Sequence, residues 1–214
     1  MDHGIKMLHK NEKGKSRVEL YVSALPNLSL RYPLYPQERE DEIRSLSDEV
    51  SQREKYFAWR LLERAVRDSL GLELSELGLR RKNGKWCSDR AELSISHSGD
   101  ALAVAVSSLP VGVDIEPIGN KIRDGVARRF FSKDEFSTYL SADSDMREEV
   151  FLRIWTAKEA VFKSTGDVAF APSSVDTATL SVYTEKIDVE GREYVVAAYC
   201  DGDFEVDLHQ ITLN

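Results

Sequence analysis

Leu93-Ser94-Ile95-Ser96-His97-Ser98-Gly99-Asp100-Ala101-Leu102-Ala103-Val104-Ala105-Val106, then Leu109-Pro110-Val111-Gly112-Val113-Asp114-Ile115-Glu116-Pro117, is the stretch on which the fold turns. Leu93 to Ser96 alternates apolar and polar residues, the period of a half-buried strand. Ser98-Gly99-Asp100 is a turn signal and Ala101 to Val106 an unbroken apolar strand, so the two read as a hairpin. A third strand runs from Val111 to Glu116, and Pro117 and Gly119 end it.

Toward the N-terminus, Arg17 to Val22 alternates and predicts a strand near 17–25. Pro36 opens a short acidic helix through Leu46. Ser47 is the expected N-cap of a long helix with an apolar stripe through Val50, Phe57, Leu61, Leu62, Ala65, Val66 and Leu70, and Gly71 is its stop. Asn83-Gly84 marks a turn between two short extended pieces. Toward the C-terminus, the basic residues Lys121, Arg123, Arg128, Arg129 and Lys133 surround the start of a helix where Ser132 and Glu135 have capping-box spacing. A second helix spans about 148–164 and stops at Gly166, and strands follow near Val182, at 194–199 and at 204–208. Helices and strands interleave without a βαβ rhythm. The fold class is therefore α+β, with mostly antiparallel strands packed on helices.

Trp59, Glu63 and Arg67 recur as Trp155, Glu159 and Lys163 with the same spacing, and each helix precedes a valine- and alanine-rich strand. Two similar α+β halves related by a pseudo-twofold axis account for this, residues 1–108 and 109–214, with a ligand cleft between them. Two unrelated amphipathic helices that happen to match are the alternative.

The chain carries 29 Lys and Arg against 37 Asp and Glu, a net charge of −8. That balance argues against nonspecific binding to nucleic acid or to anionic membranes. Cys87 and Cys200 are far apart and lack metal-ligand spacing, so a zinc site is not expected and a reducing, cytoplasmic compartment fits. No apolar run is long enough to span a bilayer, and Met1-Asp2-His3-Gly4 does not read as a secretory leader.

Asp114 and Glu116 stand two apart in a strand, which puts both carboxylates on one face. Such a pair repels itself unless a cation or proton intervenes, and Mg²⁺ is typically held by one or two carboxylates. An exposed acidic strand face would read the same way. Glu159 and Lys163 lie one helical turn apart, as a surface ion pair would. Lys158 points about 100° away from Glu159, and Trp155 packs one turn before it. His97 ends a strand beside a tight turn, where it could meet a phosphate or simply face solvent.

Asn83-Gly84-Lys85, Leu93-Ser94-Ile95-Ser96-His97-Ser98, Gly112-Val113-Asp114-Ile115-Glu116, Arg128-Arg129-Phe130-Phe131-Ser132 and Trp155-Thr156-Ala157-Lys158-Glu159-Ala160 with Lys163 occur in this order over roughly residues 50–166. The ordered set resembles the 4′-phosphopantetheinyl transferases, in their larger, two-halved (Sfp-like) type. That resemblance implies transfer of the phosphopantetheine arm of coenzyme A to a serine of an acyl or peptidyl carrier protein, with release of 3′,5′-ADP. It implies Mg²⁺, with Mn²⁺ as the alternative ion, held by Asp114, Glu116 and Glu159. Glu159 would also act as the base. Lys158 and Lys163 would neutralise the pyrophosphate, His97 would contact a phosphate, and Lys85 and Ser96 would line the nucleotide pocket. A monomer is implied too, since each half supplies what a partner subunit otherwise would.

Two departures stand out. Trp86 follows Gly84-Lys85 where relatives often have proline. The first helix carries Glu38 and Asp41 where relatives carry basic residues, leaving Arg39, Arg44 and Arg53 as candidates for the 3′-phosphate, with Arg53 preferred because it opens the long helix. The competing readings are a carrier-binding homologue without turnover and a Mg²⁺-dependent nuclease, the latter opposed by the acidic charge.

Overall fold

The computed structural model describes residues 14–82, 84–119, 124–166, 169 and 171–214. Along the chain run β1 (Ser16–Ala24), α1 (Gln37–Arg44), α2 (Glu49–Leu70), the short strands β2 (Arg80–Lys82) and β3 (Lys85–Cys87), then β4 (Glu92–Ser98), β5 (Ala101–Ser107) and β6 (Val111–Pro117). They are followed by α3 (Asp124–Phe130), α4 (Lys133–Ser141), α5 (Arg147–Thr165), β7 (Tyr183–Val189), β8 (Arg192–Cys200) and β9 (Phe204–Gln210). The α+β expectation holds. The pairings are antiparallel except β1 with β9, which run parallel. Among the described residues, no helix is long and apolar enough to cross a membrane.

The strands form a sheet of order β4-β5-β1-β9, a sheet of order β6-β8-β7, and the β2-β3 hairpin. Period-two alternation in β5 builds two cores from one strand. Leu102, Val104 and Val106 face α2, while Ala101, Ala103 and Ala105 join Val113, Ile115, Tyr194 and Val196 between the sheets. A third cluster of Ala127, Phe131, Tyr139, Phe151 and Leu152 unites α3, α4 and α5. The sheets do not divide at residue 108, because β9 returns to the first sheet beside β1 after the second is complete.

Helix ends follow the local rules with small offsets. Asp48, not Ser47, caps α2, its carboxylate accepting the Ser51 N–H at 2.8 Å. Aspartate is as good an N-cap as serine, and the two stand side by side. Gly71 and Gly166 take the left-handed conformation that closes α2 and α5. Ser132 and Glu135 form the capping box of α4. The seven-residue α3 was not expected as a helix: it is too short to show a periodic stripe.

Two contacts place the site. β6 lies beside β4 through side chains: the Val113 N–H donates to Ser94 Oγ at 3.0 Å. On the other side, α5 presses so closely on β6 that a Cβ built on Gly112 would lie 1.8 Å from the Ala160 carbonyl oxygen. Only glycine permits that approach.

Candidate functional site

The alternation of β4 turns Ser94, Ser96 and Ser98 toward β6 and leaves Leu93 and Ile95 in the α2 core. The Ser96 hydroxyl donates to Asp114 Oδ1 at 2.8 Å and the Ser98 hydroxyl to Glu116 Oε2 at 2.7 Å. Ser96, expected in the nucleotide pocket, has its hydroxyl on Asp114, as its place on the β6 side of the strand dictates, and it is not among the residues that line the adjoining cleft. Asp114 is 5% exposed, and its second oxygen, Oδ2, is buried without a hydrogen-bond partner.

Lys163 does not pair with Glu159 one turn back. Its ammonium reaches across to Asp114 Oδ1 at 2.7 Å and to the Ser96 hydroxyl at 3.0 Å. The buried Asp114 carboxylate draws the cation more strongly than the partly exposed Glu159 one turn back does. Glu159 is left with its charge poorly compensated. Burial, with Asp114 and Glu116 adding like charge and Lys163 opposing, pushes its carboxyl up to about 7.

This group borders a cleft of about 300 Å³. Arg39, Lys55, Lys85 and Lys163 line it with cations beside the His97 imidazole, and Trp86, Leu93, Ile95 and Phe162 form apolar walls. Lys85 donates to the Lys163 carbonyl oxygen at 2.7 Å, and burial pushes its ammonium down. His97 Nδ1 is 3.5 Å from Glu54 Oε2. Burial lowers the imidazole below its ordinary range, Glu54 opposes this, and the cations of Lys163, Lys55 and Arg39 reinforce it. An acidic chain thus concentrates positive charge in one concave place, the footprint of an anionic ligand.

Two expected site residues lie elsewhere. Lys158 is on a different face of α5, with its side chain 0% exposed and paired with Glu135 at 2.7 Å, and it is not among the residues that line the cleft. Arg53 donates to the carbonyl oxygens of Pro26 and Leu28 and sits over the Phe57 ring, away from the cleft lining. Arg39, another of the 3′-phosphate candidates, lines the cleft instead, together with Lys55. Arg39 is 7% exposed, donates to Glu42 at 2.9 Å and to the Lys55 carbonyl oxygen at 3.1 Å, and retains a buried, unpartnered Nε. The signal for Lys55 was present: 55, 58 and 62 fall on one helical face, and all three line the cleft. Lys121 and Arg123 of the basic stretch lie outside the described residues, while Arg128 and Arg129 are exposed on α3.

Whether Asp114, Glu116 and Glu159 suit a divalent cation can be judged from their chemistry. Among the described residues, no three His, Cys, Asp or Glu side chains are preassembled as a metal cage. Mg²⁺ does not need one, since water and phosphate oxygens usually fill most of its octahedron. The orphaned Asp114 Oδ2 and the mutual repulsion that lifts Glu159 are what a cation would relieve, so the donor set fits a hard ion.

Residues 110–199 match the family model of the 4′-phosphopantetheinyl transferase superfamily. The chain is 44% identical over 89 residues to the 4′-phosphopantetheinyl transferase psf-1 of Bacillus pumilus, covering 41% of this chain and 37% of that protein. It is 35% identical over 118 residues to the 4′-phosphopantetheinyl transferase ffp of Bacillus subtilis, covering 55% and 51%. To the 4′-phosphopantetheinyl transferase AcpT of Escherichia coli K12 it is 38% identical over 86 residues, covering 39% and 44%. The matched stretch thus spans about half or less of these curated relatives. It includes β6 through β8, and so Asp114, Glu116, Glu159 and Lys163.

Proposed function

We propose, from the match of residues 110–199 to the family model of the 4′-phosphopantetheinyl transferase superfamily, that this chain belongs to that superfamily and moves the phosphopantetheine arm of coenzyme A to a serine of an acyl or peptidyl carrier protein. The observation that carries the reading is Glu159, a carboxyl raised to about 7 beside Asp114 and Lys163 at a cation-lined cleft. A base poised near neutral pH can take a serine proton as the hydroxyl attacks.

In the proposed reaction the carrier serine oxygen bonds to the phosphorus that bears the arm. The bond from that phosphorus to the bridging oxygen breaks, and 3′,5′-ADP leaves with the electron pair. Glu159 accepts the serine proton, directly or through one water. Lys163 and Lys85 face the side of the cleft where the pyrophosphate would lie and neutralise charge that grows on the leaving group, to which His97 would donate a hydrogen bond. Arg39 and Lys55 are proposed to attract the 3′-phosphate by charge, since the terminal Arg39 nitrogens already donate to Glu42 and to the Lys55 carbonyl oxygen. Asp114, Glu116 and Glu159 would hold Mg²⁺, which when bound supplies Lewis-acid charge neutralisation on the pyrophosphate oxygens. Arg128 and Arg129 are proposed to meet the acidic carrier, where rim charges mainly set the rate of encounter.

The decisive experiment is intact-protein mass spectrometry of a panel of apo carriers after incubation with the protein, coenzyme A and Mg²⁺. A gain of about 340 Da on one serine, the mass of the arm, is expected. No gain on any carrier, with folded protein and metal present, sinks the transferase reading.

A further inference from the structure

Lys158 precedes Glu159 by one residue and is shut away from solvent, 0% exposed against a Glu135 partner that is 2% exposed. Its ammonium also donates to the carbonyl oxygens of Pro172 and Val175, so its three N–H bonds meet three acceptors. Glu135 is as fully engaged. Its Oε2 also accepts from the Ser132 N–H at 2.6 Å, and its Oε1 accepts from the Thr177 N–H at 2.8 Å and the Thr177 hydroxyl at 2.7 Å. Burial alone would raise the Glu135 carboxyl, but the hydrogen bonds from Lys158, Thr177 and Ser132 outweigh it and hold it below its ordinary value.

This knot joins three pieces of chain: the first turn of α4, the middle of α5, and residues 172–177. The Ser132 hydroxyl strengthens the junction by donating to Asp176 Oδ1 at 3.0 Å. Buried ion pairs are a poor source of stability, because an apolar pair of similar volume often serves as well. They are good at fixing direction, since each bond has a preferred angle. Successive helical residues differ in bearing by about 100°, so locking the rotation of α5 at Lys158 also sets where Glu159 points. Gly112 under Ala160 sets the depth of the helix on β6, and the knot would set its rotation.

We propose that Lys158 is a positioning residue: with Glu135 and the 172–177 segment it fixes the rotation of α5 and so aims Glu159 at the cleft. The chemical consequence rests on the transferase reading, while the geometric claim does not.

Lys158→Met alone strands a buried carboxylate and endangers the fold. The main test is therefore the neutral double variant Lys158→Met/Glu135→Gln, in which the glutamine carbonyl still accepts from Thr177. Steady-state kinetics with coenzyme A and a carrier, at a temperature where circular dichroism shows the protein folded, should give kcat down by about tenfold or more with KM for coenzyme A within about threefold. Glu135→Gln alone, which keeps the Lys158 ammonium and an oxygen partner, should lose less, and it serves as the test if the double variant does not fold. Amide hydrogen exchange should quicken in residues 132–136 and 156–162 of the double variant while Tm shifts little.

A folded variant with unchanged kcat would overturn the proposal. So would a weakening of coenzyme A affinity by about tenfold with kcat kept, since that marks Lys158 as a ligand. If the unmodified protein modifies no carrier, the transferase reading fails separately. Hydrogen exchange around Glu159 then decides: no change there sinks the positioning role.

Discussion

Trp59, Glu63 and Arg67 on α2 repeat as Trp155, Glu159 and Lys163 on α5, and the two sets are used differently. Trp59 is fully buried, donates its indole N–H to the Tyr35 carbonyl oxygen at 2.7 Å, and lies under the Arg39 guanidinium. Trp155 is half-buried in the aromatic cluster with Phe130 and Phe151. Arg67 turns outward to Glu73 with two bonds of 2.9 Å, whereas Lys163 turns inward to Asp114. Burial raises both glutamates. At Glu63 the neighbouring Arg60 and Arg67 oppose the rise, while at Glu159 Asp114 and Glu116 add to it. The difference comes from the strand each helix covers. β5 offers α2 only Leu102, Val104 and Val106, and β6 offers α5 two carboxylates. The helix pattern supplies the groups, and the facing strand decides whether they do chemistry.

The sharpest way to break this comparison is to neutralise each glutamate in turn. Glu159→Gln should lower transfer by about a hundredfold to ten-thousandfold, the usual contribution of a positioned base, and more if a metal ligand is lost with it. Glu63→Gln should keep transfer within about twofold of the unmodified protein, since Glu63 is not among the residues that line the cleft. Equal losses in the two variants would show that α2 also carries a working site.

Next in size is the close approach of α5 to β6. Gly112→Ala must push a backbone carbonyl aside, because no flexible side chain is there to yield. The expected cost is about 1–3 kcal/mol in denaturant unfolding, the range for overpacking, with kcat falling as Glu159 moves away from Asp114. An alanine variant of full stability and activity would mean that α5 can stand off from β6 without harm.

Much of this was legible in the sequence, because strong local signals agree with the tertiary structure. The 93–117 stretch reads correctly as three strands since its alternation, its Gly99 turn and its Pro117 exit all reinforce one another. What failed was side-chain direction over long range. Nothing local says that Lys163 prefers Asp114, 49 positions away, to Glu159. Lys158 and Arg53 are hard to place for the same reason: a lysine beside a helical glutamate looks accessible until its partner Glu135, on another helix, is known. Arg39 was one of three arginine candidates, and nothing local in its acidic helix set it above Arg53, although the cleft is lined by Arg39 and not by Arg53.

A smaller effect concerns the lysine. In the free protein Lys163 occupies Asp114 Oδ1, where it stands as a counter-ion to a buried charge. Lys163→Gln should therefore bind Mg²⁺ about threefold to tenfold more tightly than the unmodified protein when coenzyme A is absent, a modest shift because Glu116 and Glu159 are unchanged. Isothermal titration with Mg²⁺ alone reads this directly. Weaker binding by the variant would mean that Lys163 supports the metal site instead of competing for it. Arg67→Gln should leave Mg²⁺ binding unchanged.

The smallest expected effect is on stability against pH, and it separates the two helices by a different route. Glu159 rises from 4.5 to about 7 on folding, through burial first and like charge second, and Glu63 shifts in the same direction. The folded protein then binds more protons than the unfolded chain between those values, so this contribution is whole below about 4.5 and is lost as pH rises through about 7. Calorimetry of the free protein from pH 5 to 8 should show Tm declining, and either Glu159→Gln or Glu63→Gln should flatten part of the decline. Mg²⁺ distinguishes the two carboxylates, because a bound cation favours the ionised form. Added Mg²⁺ should recover Tm above pH 7 in the unmodified protein and in Glu63→Gln, and should do much less in Glu159→Gln. Equal recovery in all three would place the ion away from Glu159 and leave the two helices electrostatically alike.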